Sequence, residues 1–194
     1  MEHIDAIIQQ VKDFTNAAHG QQTRRYSKDP YIVHPMRVMG TCREFTNDLP
    51  VLCAAILHDV LEDTPITHTR LESFLQSIMD TEAANRTLKL VVDLTDVFTK
   101  KNYPRLNRRT RRQKEAERLG TVDPDAQTIK YADILDNTDV TRQDPDFAWT
   151  FLRECSVILE KMNKGNPDLR NRALKRVADC LAYLGARDPV SSGQ

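Results

Sequence analysis

Apolar positions recur at helical spacing along most of the chain. In the first segment Ile4, Ile8, Val11 and Phe14 fall on one stripe, which is typical of an amphipathic helix. Similar stripes predict helices at about 35–45, 49–61, 71–78, 82–97, 124–137, 146–162 and 167–184. The polar, turn-rich segment 20–30 predicts a loop, and the basic segment 100–118 is read as a further helix. The pattern therefore predicts an all-α bundle of about nine helices.

Composition agrees with a helical domain and sets limits on its surroundings. The 194 residues suit one domain, predicted at 1–186 with a frayed tail at 187–194. The 28 basic and 28 acidic side chains cancel, so no global field favours nucleic acid or membrane as a partner. The N-terminus has neither a basic segment nor an apolar core of a leader, and no apolar run has membrane-spanning length. A cytoplasmic location is predicted.

The four cysteines do not form a metal or disulfide pattern. Cys42, Cys53, Cys155 and Cys180 show no C-x-x-C pairing and lie within helical patterns. They are predicted to be buried, reduced thiols.

The densest chemistry follows an apolar run that ends at residue 57. His58, Asp59, Glu62 and Asp63 come directly after it. In a continuous helix His58 and Glu62 would share one face, and Asp59 and Asp63 another. An unpaired imidazole or carboxylate in a buried helix is costly, so a functional role competes with a solvated acidic helix end.

Two other segments supply further ligand candidates. Together with His34 and Asp133, the pair His58 and Asp59 gives two imidazoles and two carboxylates, a set that suits manganese, iron or zinc. The long separations between these residues give little support by spacing alone. Asn137 lies four residues after Asp133, so both could face inward from one helix.

Several motifs in order resemble one family. His34, the His58–Asp59 doublet and Asp133 resemble the HD superfamily of metal-dependent phosphohydrolases. More narrowly, segments 19–25 and 30–35 resemble the first motif of RelA/SpoT-type alarmone hydrolases, and 57–64 is similar to their HD-x-x-ED-T motif. Segment 91–96 resembles their short acidic-threonine motif, and 130–137 their K-x-A-D-x-x-x-N helix. The resemblance covers about residues 4–140.

The resemblance implies a fold, a reaction and a cofactor. The fold is the HD-domain helical bundle, and the chain resembles a stand-alone small alarmone hydrolase. The reaction is the metal-dependent removal of the 3′-pyrophosphate from guanosine tetra- or pentaphosphate, (p)ppGpp, to give GDP or GTP and pyrophosphate. The cofactor is one Mn²⁺ ion, which activates a water near neutral pH.

The resemblance also implies roles for individual residues. The manganese ligands are expected to be His34, His58, Asp59 and Asp133. The catalytic residues, which orient or deprotonate the water, are expected to be Glu62 and Asp63. The substrate-binding residues are expected to be Arg24 stacked on the purine, Arg25 at the base or phosphates, and Asn137 at the ribose.

The chain departs from the family pattern at two places. Lys28 and Asp29 stand where a glycine is usual, and Asp136 stands where a large basic or aromatic residue is usual. An acid beside the sugar and phosphates would repel an anionic substrate. A related adenosine alarmone, a deoxynucleotide or the 2′-phosphate of NADPH therefore stays open as substrate, as does a non-catalytic nucleotide-binding HD module.

The basic segment 100–118 leaves two interpretations. It carries nine basic side chains, but Glu115 and Glu117 interrupt it and Tyr103 is its one aromatic residue. It is either a solvated helix or a rim that steers a polyanionic substrate. The expected partner is a small nucleotide, with neither nucleic acid nor membrane, and the oligomeric state is open.

Overall fold

Helices account for the regular structure in the described part of the chain. A computed structural model describes residues 2–187, with side chains for 4–186. Nine helices of two or more turns are α1 (Glu2–His19), α2 (Val33–Arg43), α3 (Leu49–Leu57), α5 (His68–Ile78), α6 (Thr81–Leu94), α7 (Arg108–Leu119), α8 (Pro124–Asn137), α10 (Pro145–Lys161) and α11 (Pro167–Arg187). Two single turns are α4 (Val60–Asp63) and α9 (Val140–Gln143). The predicted all-α fold is confirmed.

The 20–30 segment is a loop, as predicted. It contains one isolated bridge between Thr23 and Pro30, and Gly20 adopts a φ of 57° at the end of α1. A positive φ is accessible to glycine without a steric penalty, so Gly20 lets the chain leave the helix sharply.

Polar residues fix the starts of several helices. The side chain of Thr67 accepts a hydrogen bond from the backbone N–H of Arg70, and Asp80 accepts one from Ala83. Asp123 caps α8 in the same way before Pro124 at the first turn. Such caps satisfy backbone donors that would otherwise lack partners, typically for about 1 kcal/mol each.

The predicted continuous helix 49–61 is wrong at its end. Helix α3 stops at Leu57, and a new turn, α4, begins after Asp59, whose ψ of −5° departs from helical geometry. The ring Nδ1 of His58 donates to the carbonyl oxygen of Ala55 over 2.9 Å, so the imidazole occupies a carbonyl of the last helical turn. The break changes the directions of Asp59 and Glu62 relative to α3.

The predicted helix 82–97 is also too long. Helix α6 ends at Leu94, because Thr95 takes an extended backbone (φ −65°, ψ 124°) while its hydroxyl donates to the carbonyl oxygen of Val91. The early end brings Asp96 out of the helix and towards Glu62, whose side chain accepts a hydrogen bond from the Asp96 backbone N–H.

Helix α3 is the centre of the core. Its residues from Pro50 to Leu57 are all buried, and it packs against α1, α2, α6 and α8. Truncating a large buried side chain here, such as Leu57→Ala, would cost about 2–5 kcal/mol. This packing brings the C-terminal end of α3 beside α2 and α8. Cys42, Cys53, Cys155 and Cys180 are buried and free, as predicted.

The chain ends beyond the described residues. Arg187 is still in α11, and residues 188–194 of the predicted frayed tail lie outside the described part, so the domain limits stay a prediction. No helix within residues 2–187 combines the length and apolar character that a membrane crossing needs.

Candidate metal centre and cleft

Four predicted metal ligands from distant parts of the chain come together. His34 lies in the first turn of α2, His58 and Asp59 at the α3–α4 break, and Asp133 on α8. The ligand atoms of His34, His58 and Asp59 all lie within 4.8 Å of one another. Asp133 Oδ1 lies 3.2 Å from His34 Nε2 and 3.7 Å from His58 Nε2. Asp59 Oδ2 lies 3.0 Å from His58 Nε2.

Both imidazoles have a partner on the nitrogen that faces away from this cluster. His34 Nδ1 donates to Asp136 Oδ2 over 2.7 Å, and His58 Nδ1 donates to the Ala55 carbonyl oxygen. The two Nε2 atoms are 3.2 Å apart and lie beside the carboxylates. When each Nδ1 holds its proton, each neutral ring presents a lone pair at Nε2. Such partners are typical of metal-ligating histidines.

The donor set fits a divalent cation. Two nitrogen and two carboxylate oxygen ligands suit manganese, iron or zinc, and a group of acceptors without hydrogens needs a positive charge between them. Burial lowers the pKa of both imidazoles, but Asp133, Asp59 and Asp136 outweigh it and leave both pKa values raised. The same carboxylates that favour a proton on His34 and His58 would favour a metal ion in its place.

Lys130 sits at the back of the cluster, where the sequence analysis gave it no role. Its Nζ lies 2.8 Å from Asp133 Oδ2, the oxygen turned away from the histidine contact. Burial lowers the pKa of Lys130, but Asp133, Asp96 and Glu62 outweigh it and leave that pKa raised. In turn, burial raises the pKa of Asp133, while Lys130 and the two histidines pull it well below its usual range. The i,i+3 spacing to Asp133 was the available signal.

Glu62 lies next to the cluster in a mostly acidic setting. Desolvation by the surrounding cleft and the nearby Asp96 carboxylate raise the pKa of Glu62 to about 7, although Lys130 opposes the shift. Asp96 itself pairs with Arg112 at 2.8 Å. A carboxyl that titrates near neutral pH can both accept and release a proton under ordinary conditions.

Tyr31 connects the cluster to the second predicted catalytic carboxylate. Its hydroxyl lies 2.5 Å from Asp59 Oδ2 and 3.2 Å from Asp63 Oδ2, and its ring stacks on His19. Burial, with the Asp59 carboxylate, raises the pKa of Asp63. The sequence analysis quoted Tyr31 within a motif but assigned it no function. Its position three residues before His34 in that motif was the one signal.

A cleft of about 630 Å³ opens over the cluster. The predicted substrate residues Arg24, Arg25 and Asn137 all line it. Arg24 Nη2 donates to Asn137 Oδ1 over 3.0 Å, and Asn137 Nδ2 donates to Asp133 Oδ1 over 2.6 Å. The guanidinium carbon of Arg25 lies 5.2 Å from the ring centroid of Phe147. Eight of the nine predicted site residues line the cleft, and the ninth, His58, lies against His34 and Asp59 beneath it.

The Asp136 carboxylate, from which an anionic substrate was expected to be repelled, is paired in the structure. It is bonded to His34 Nδ1 and lies 3.6 Å from Arg24 and 3.8 Å from Arg37. Three cationic or hydrogen-bond donating groups therefore compensate its charge. The expected repulsion of an anionic substrate is reduced accordingly.

Part of the basic segment borders the cleft. Arg108 and Arg112 line it, and both are held by acids: Arg108 Nε lies 2.7 Å from Glu154, and Arg112 lies 2.8 Å from Asp96. Other members, such as Arg109 and Lys114, are exposed on α7. The segment therefore contributes two arginines to the rim, and its other basic side chains are either exposed or, like Arg118 with Glu115, held by neighbouring groups.

Comparison with known proteins places this arrangement in a known context. The family model of the HD domain matches residues 31–138. The chain is 30% identical over 138 residues to a probable guanosine-3′,5′-bis(diphosphate) 3′-pyrophosphohydrolase of Mycoplasma pneumoniae, covering 68% of this chain and 18% of that protein. It is 32% identical over 137 residues to the guanosine-3′,5′-bis(diphosphate) 3′-pyrophosphohydrolase of Aquifex aeolicus, covering 67% of this chain and 17% of that protein. The chain thus spans less than a fifth of these curated relatives.

A solved structure has the same fold. It is described as a metazoan ortholog of SpoT that hydrolyzes ppGpp and plays a role in starvation responses. The TM-score is 0.71 at 21% sequence identity, and the match covers 94% of this chain and 95% of that one. The family match spans more than half of the 194 residues and contains the four candidate metal ligands, His34, His58, Asp59 and Asp133. This chain belongs to the HD domain family.

Proposed function

We propose that this chain is a manganese-dependent hydrolase that removes the 3′-pyrophosphate from (p)ppGpp, releasing GDP or GTP and pyrophosphate. The observation that carries the proposal is the meeting of His34, His58, Asp59 and Asp133 beneath a cleft edged by arginines. The names of the two bacterial relatives support this substrate.

His34, His58, Asp59 and Asp133 would hold the metal ion. When bound, the ion would supply Lewis-acid charge and a water activated for attack near neutral pH. Tyr31 holds Asp59 through its hydroxyl, and Asn137 holds Asp133 through its amide, so both carboxylates are oriented before a ligand arrives. Such preparation lowers the reorganisation that binding requires.

Glu62 is the proposed proton acceptor. In the reaction the attacking water loses a proton as the bond between O3′ of the ribose and phosphorus breaks, and O3′ gains one. The pKa of Glu62 is raised by desolvation and by Asp96, which suits this carboxylate to take the proton from water. Asp63, bonded to Tyr31, stands beside the same site and can orient the water or return the proton to O3′.

The cationic edge of the cleft would hold the nucleotide. Arg24 offers a planar guanidinium that would stack on the purine, and Asn137, which is bonded to Arg24, would contact the ribose. Arg108 and Arg112 border the cleft as part of the basic rim, where they would attract phosphates. Their pairing with Glu154 and Asp96 moderates that attraction.

The decisive experiment measures turnover of ppGpp by the manganese-loaded protein. GDP and pyrophosphate are quantified together, with Glu62→Gln alongside. Stoichiometric products that disappear in this variant would support the reaction and the role of Glu62. Glu72→Gln is the matched control, because Glu72 is a carboxylate on α5 whose side chain is 40% exposed, near His68 and outside the cleft.

A substrate panel separates this proposal from its rivals. An adenosine alarmone, a deoxynucleoside triphosphate and NADPH are tested under the same conditions. If one of these compounds released phosphate or pyrophosphate faster than (p)ppGpp does, that compound would become the proposed substrate. The assignment as a metal-dependent hydrolase would remain. Nucleotide binding without turnover of any compound would favour a non-catalytic binding module.

A further inference from the structure

Asp136 connects a candidate metal ligand with the edge of the cleft. Its side chain is 11% exposed, and Oδ2 accepts the Nδ1 proton of His34 over 2.7 Å. The same oxygen lies 3.6 Å from Arg24, and the other oxygen lies 3.8 Å from Arg37. Asp136 thus lies between a candidate metal ligand and two arginines at the cleft edge.

We propose that Asp136 is a positioning residue, which orients the His34 ring for a divalent cation and holds Arg24 beside the same centre. The inference rests on the proposed function and extends it to a residue outside the ligand set. It also gives a physical use to the position at which the sequence departs from the family pattern.

The hydrogen bond to Asp136 sets the tautomer of His34. A carboxylate can only accept, so its bond fixes the proton of a neutral His34 ring on Nδ1. The Nε2 lone pair is then directed at the point shared with His58 and Asp133. Without Asp136 the ring could place its proton on Nε2, where it would oppose a cation.

The two histidines are held by different kinds of partner. His58 is fixed by the carbonyl oxygen of Ala55, three residues earlier in the last turn of α3. This is a backbone group, so no side-chain substitution removes it. His34 instead depends on a side chain 102 residues further along the chain. A carboxylate partner also makes an imidazole more basic than a neutral carbonyl does, and so a stronger ligand.

Asp133 and Asp136 are three residues apart on α8, so both face the same side, one towards the shared centre and one behind His34. Arg24 also bonds Asn137, whose amide donates to Asp133. Arg24 is therefore held by the two residues that support His34 and Asp133, which ties the cleft edge to the metal centre.

The test measures Mn²⁺ affinity in the absence of nucleotide, by electron paramagnetic resonance of the free ion. Asp136→Asn keeps the shape and can still accept from Nδ1, but it loses the charge. Asp136→Leu loses both. Loss of such a partner typically costs about 10–100-fold in metal affinity, so we expect about 10-fold for Asn and about 100-fold for Leu.

Asp139→Asn is the matched control. Asp139 also borders the cleft and follows α8, but it is 63% exposed and pairs with Arg176 rather than with His34. Because an exposed charge is screened by solvent and salt, its loss should change Mn²⁺ affinity by less than about twofold. Thermal melting of each variant reports whether the fold is retained.

A second readout observes the ring itself. In the zinc-loaded protein, which is diamagnetic, ¹⁵N shifts of His34 should report a proton on Nδ1 and a metal on Nε2. Asp136→Leu should weaken or lose that pattern at His34 and retain it at His58. If Asp136 had only a structural role, its loss would not change the ¹⁵N shifts of His34 differently from those of His58.

The outcomes are distinct. Weaker binding in both Asp136 variants, with an unchanged Asp139→Asn, would support the inference. Wild-type affinity in Asp136→Leu, or equal losses in Asp136→Asn and Asp139→Asn, would overturn it and leave the proposed metal hydrolase standing. Failure of the unaltered protein to bind either Mn²⁺ or Zn²⁺ would overturn the proposed function and the inference together.

Discussion

The floor of the cleft and the 20–30 loop at its edge are held in different ways. On the floor, His34 and His58 are almost completely buried, and each ring bonds a partner at Nδ1. The loop is largely exposed and is tied down by a few side-chain contacts, such as Arg24 to Asn137 and Tyr26 Oη to Asp144 at 2.7 Å. Substitutions on the floor should therefore abolish metal binding and turnover, whereas substitutions in the loop should weaken substrate binding by graded amounts.

The largest effect is expected on the floor. His58→Ala removes a proposed ligand and leaves Asp59 and Asp133 without the cation-binding partner that they share. Bound manganese and turnover of ppGpp should both fall to background. Metal content by mass spectrometry and product release check the result. His68→Ala, an exposed histidine on α5, should keep both. Wild-type rate and metal content in His58→Ala would remove His58 from the site.

The next effect separates metal binding from proton transfer. Glu62→Gln keeps the shape of the side chain but cannot take a proton from water. Since such acid–base help is typically worth about 10²–10⁴ in rate, kcat should fall by that range while manganese stays bound. A stopped-assay kcat and a parallel metal titration measure both. Loss of metal with loss of rate would instead make Glu62 part of the ligand set.

A graded effect is expected in the loop. Arg24→Ala should raise KM for a purine substrate, because a stacked guanidinium contributes about 0.5–2 kcal/mol, while kcat and bound metal change little. Arg24→Lys keeps the charge but loses the plane, so its KM should stay close to that of the alanine variant. Arg43→Ala, which breaks an exposed pair with Asp5, is the control. An unchanged KM in Arg24→Ala would place the purine elsewhere.

The smallest effect concerns the titration of Glu62. In the metal-free protein its carboxyl should titrate at a pKa of about 7, since desolvation and Asp96 favour the protonated form. The ionised fraction rises as pH increases through that value. Because only the ionised carboxylate can act as a base, activity that depends on Glu62 should rise over the same range. Asp96→Asn keeps the backbone N–H but removes the charge, and should lower the pKa. Carbon-13 NMR of the Glu62 carboxyl tests the shift; a pKa near 4 in the unaltered protein would contradict it.

The helical architecture was predictable because its signals are local. The stripe in α1, the caps at Thr67 and Asp123 and the prolines at helix starts each act within a few residues. The errors occur where a side chain competes with the backbone: His58 bonds the Ala55 carbonyl oxygen, and Thr95 bonds that of Val91. Periodicity contains no record of such competition.

The candidate site was predictable as a set of residues but not as an arrangement. Spacing alone gave weak support to His34, His58, Asp59 and Asp133, and their selection depended on the resemblance of several motifs in order. Their roles stay predictions. In the structure these side chains come together from α2, the α3–α4 break and α8, because the buried helix α3 packs against both α2 and α8.

Local patterns along the chain indicated most helix positions, the family and the residues with suitable chemistry. Three contacts became visible only once the helices were packed: Asp136 with His34, Lys130 with Asp133, and Tyr31 with both Asp59 and Asp63. The physical reason is distance along the chain. Helix formation is encoded within a few turns, whereas a bond across 102 residues depends on how whole helices pack.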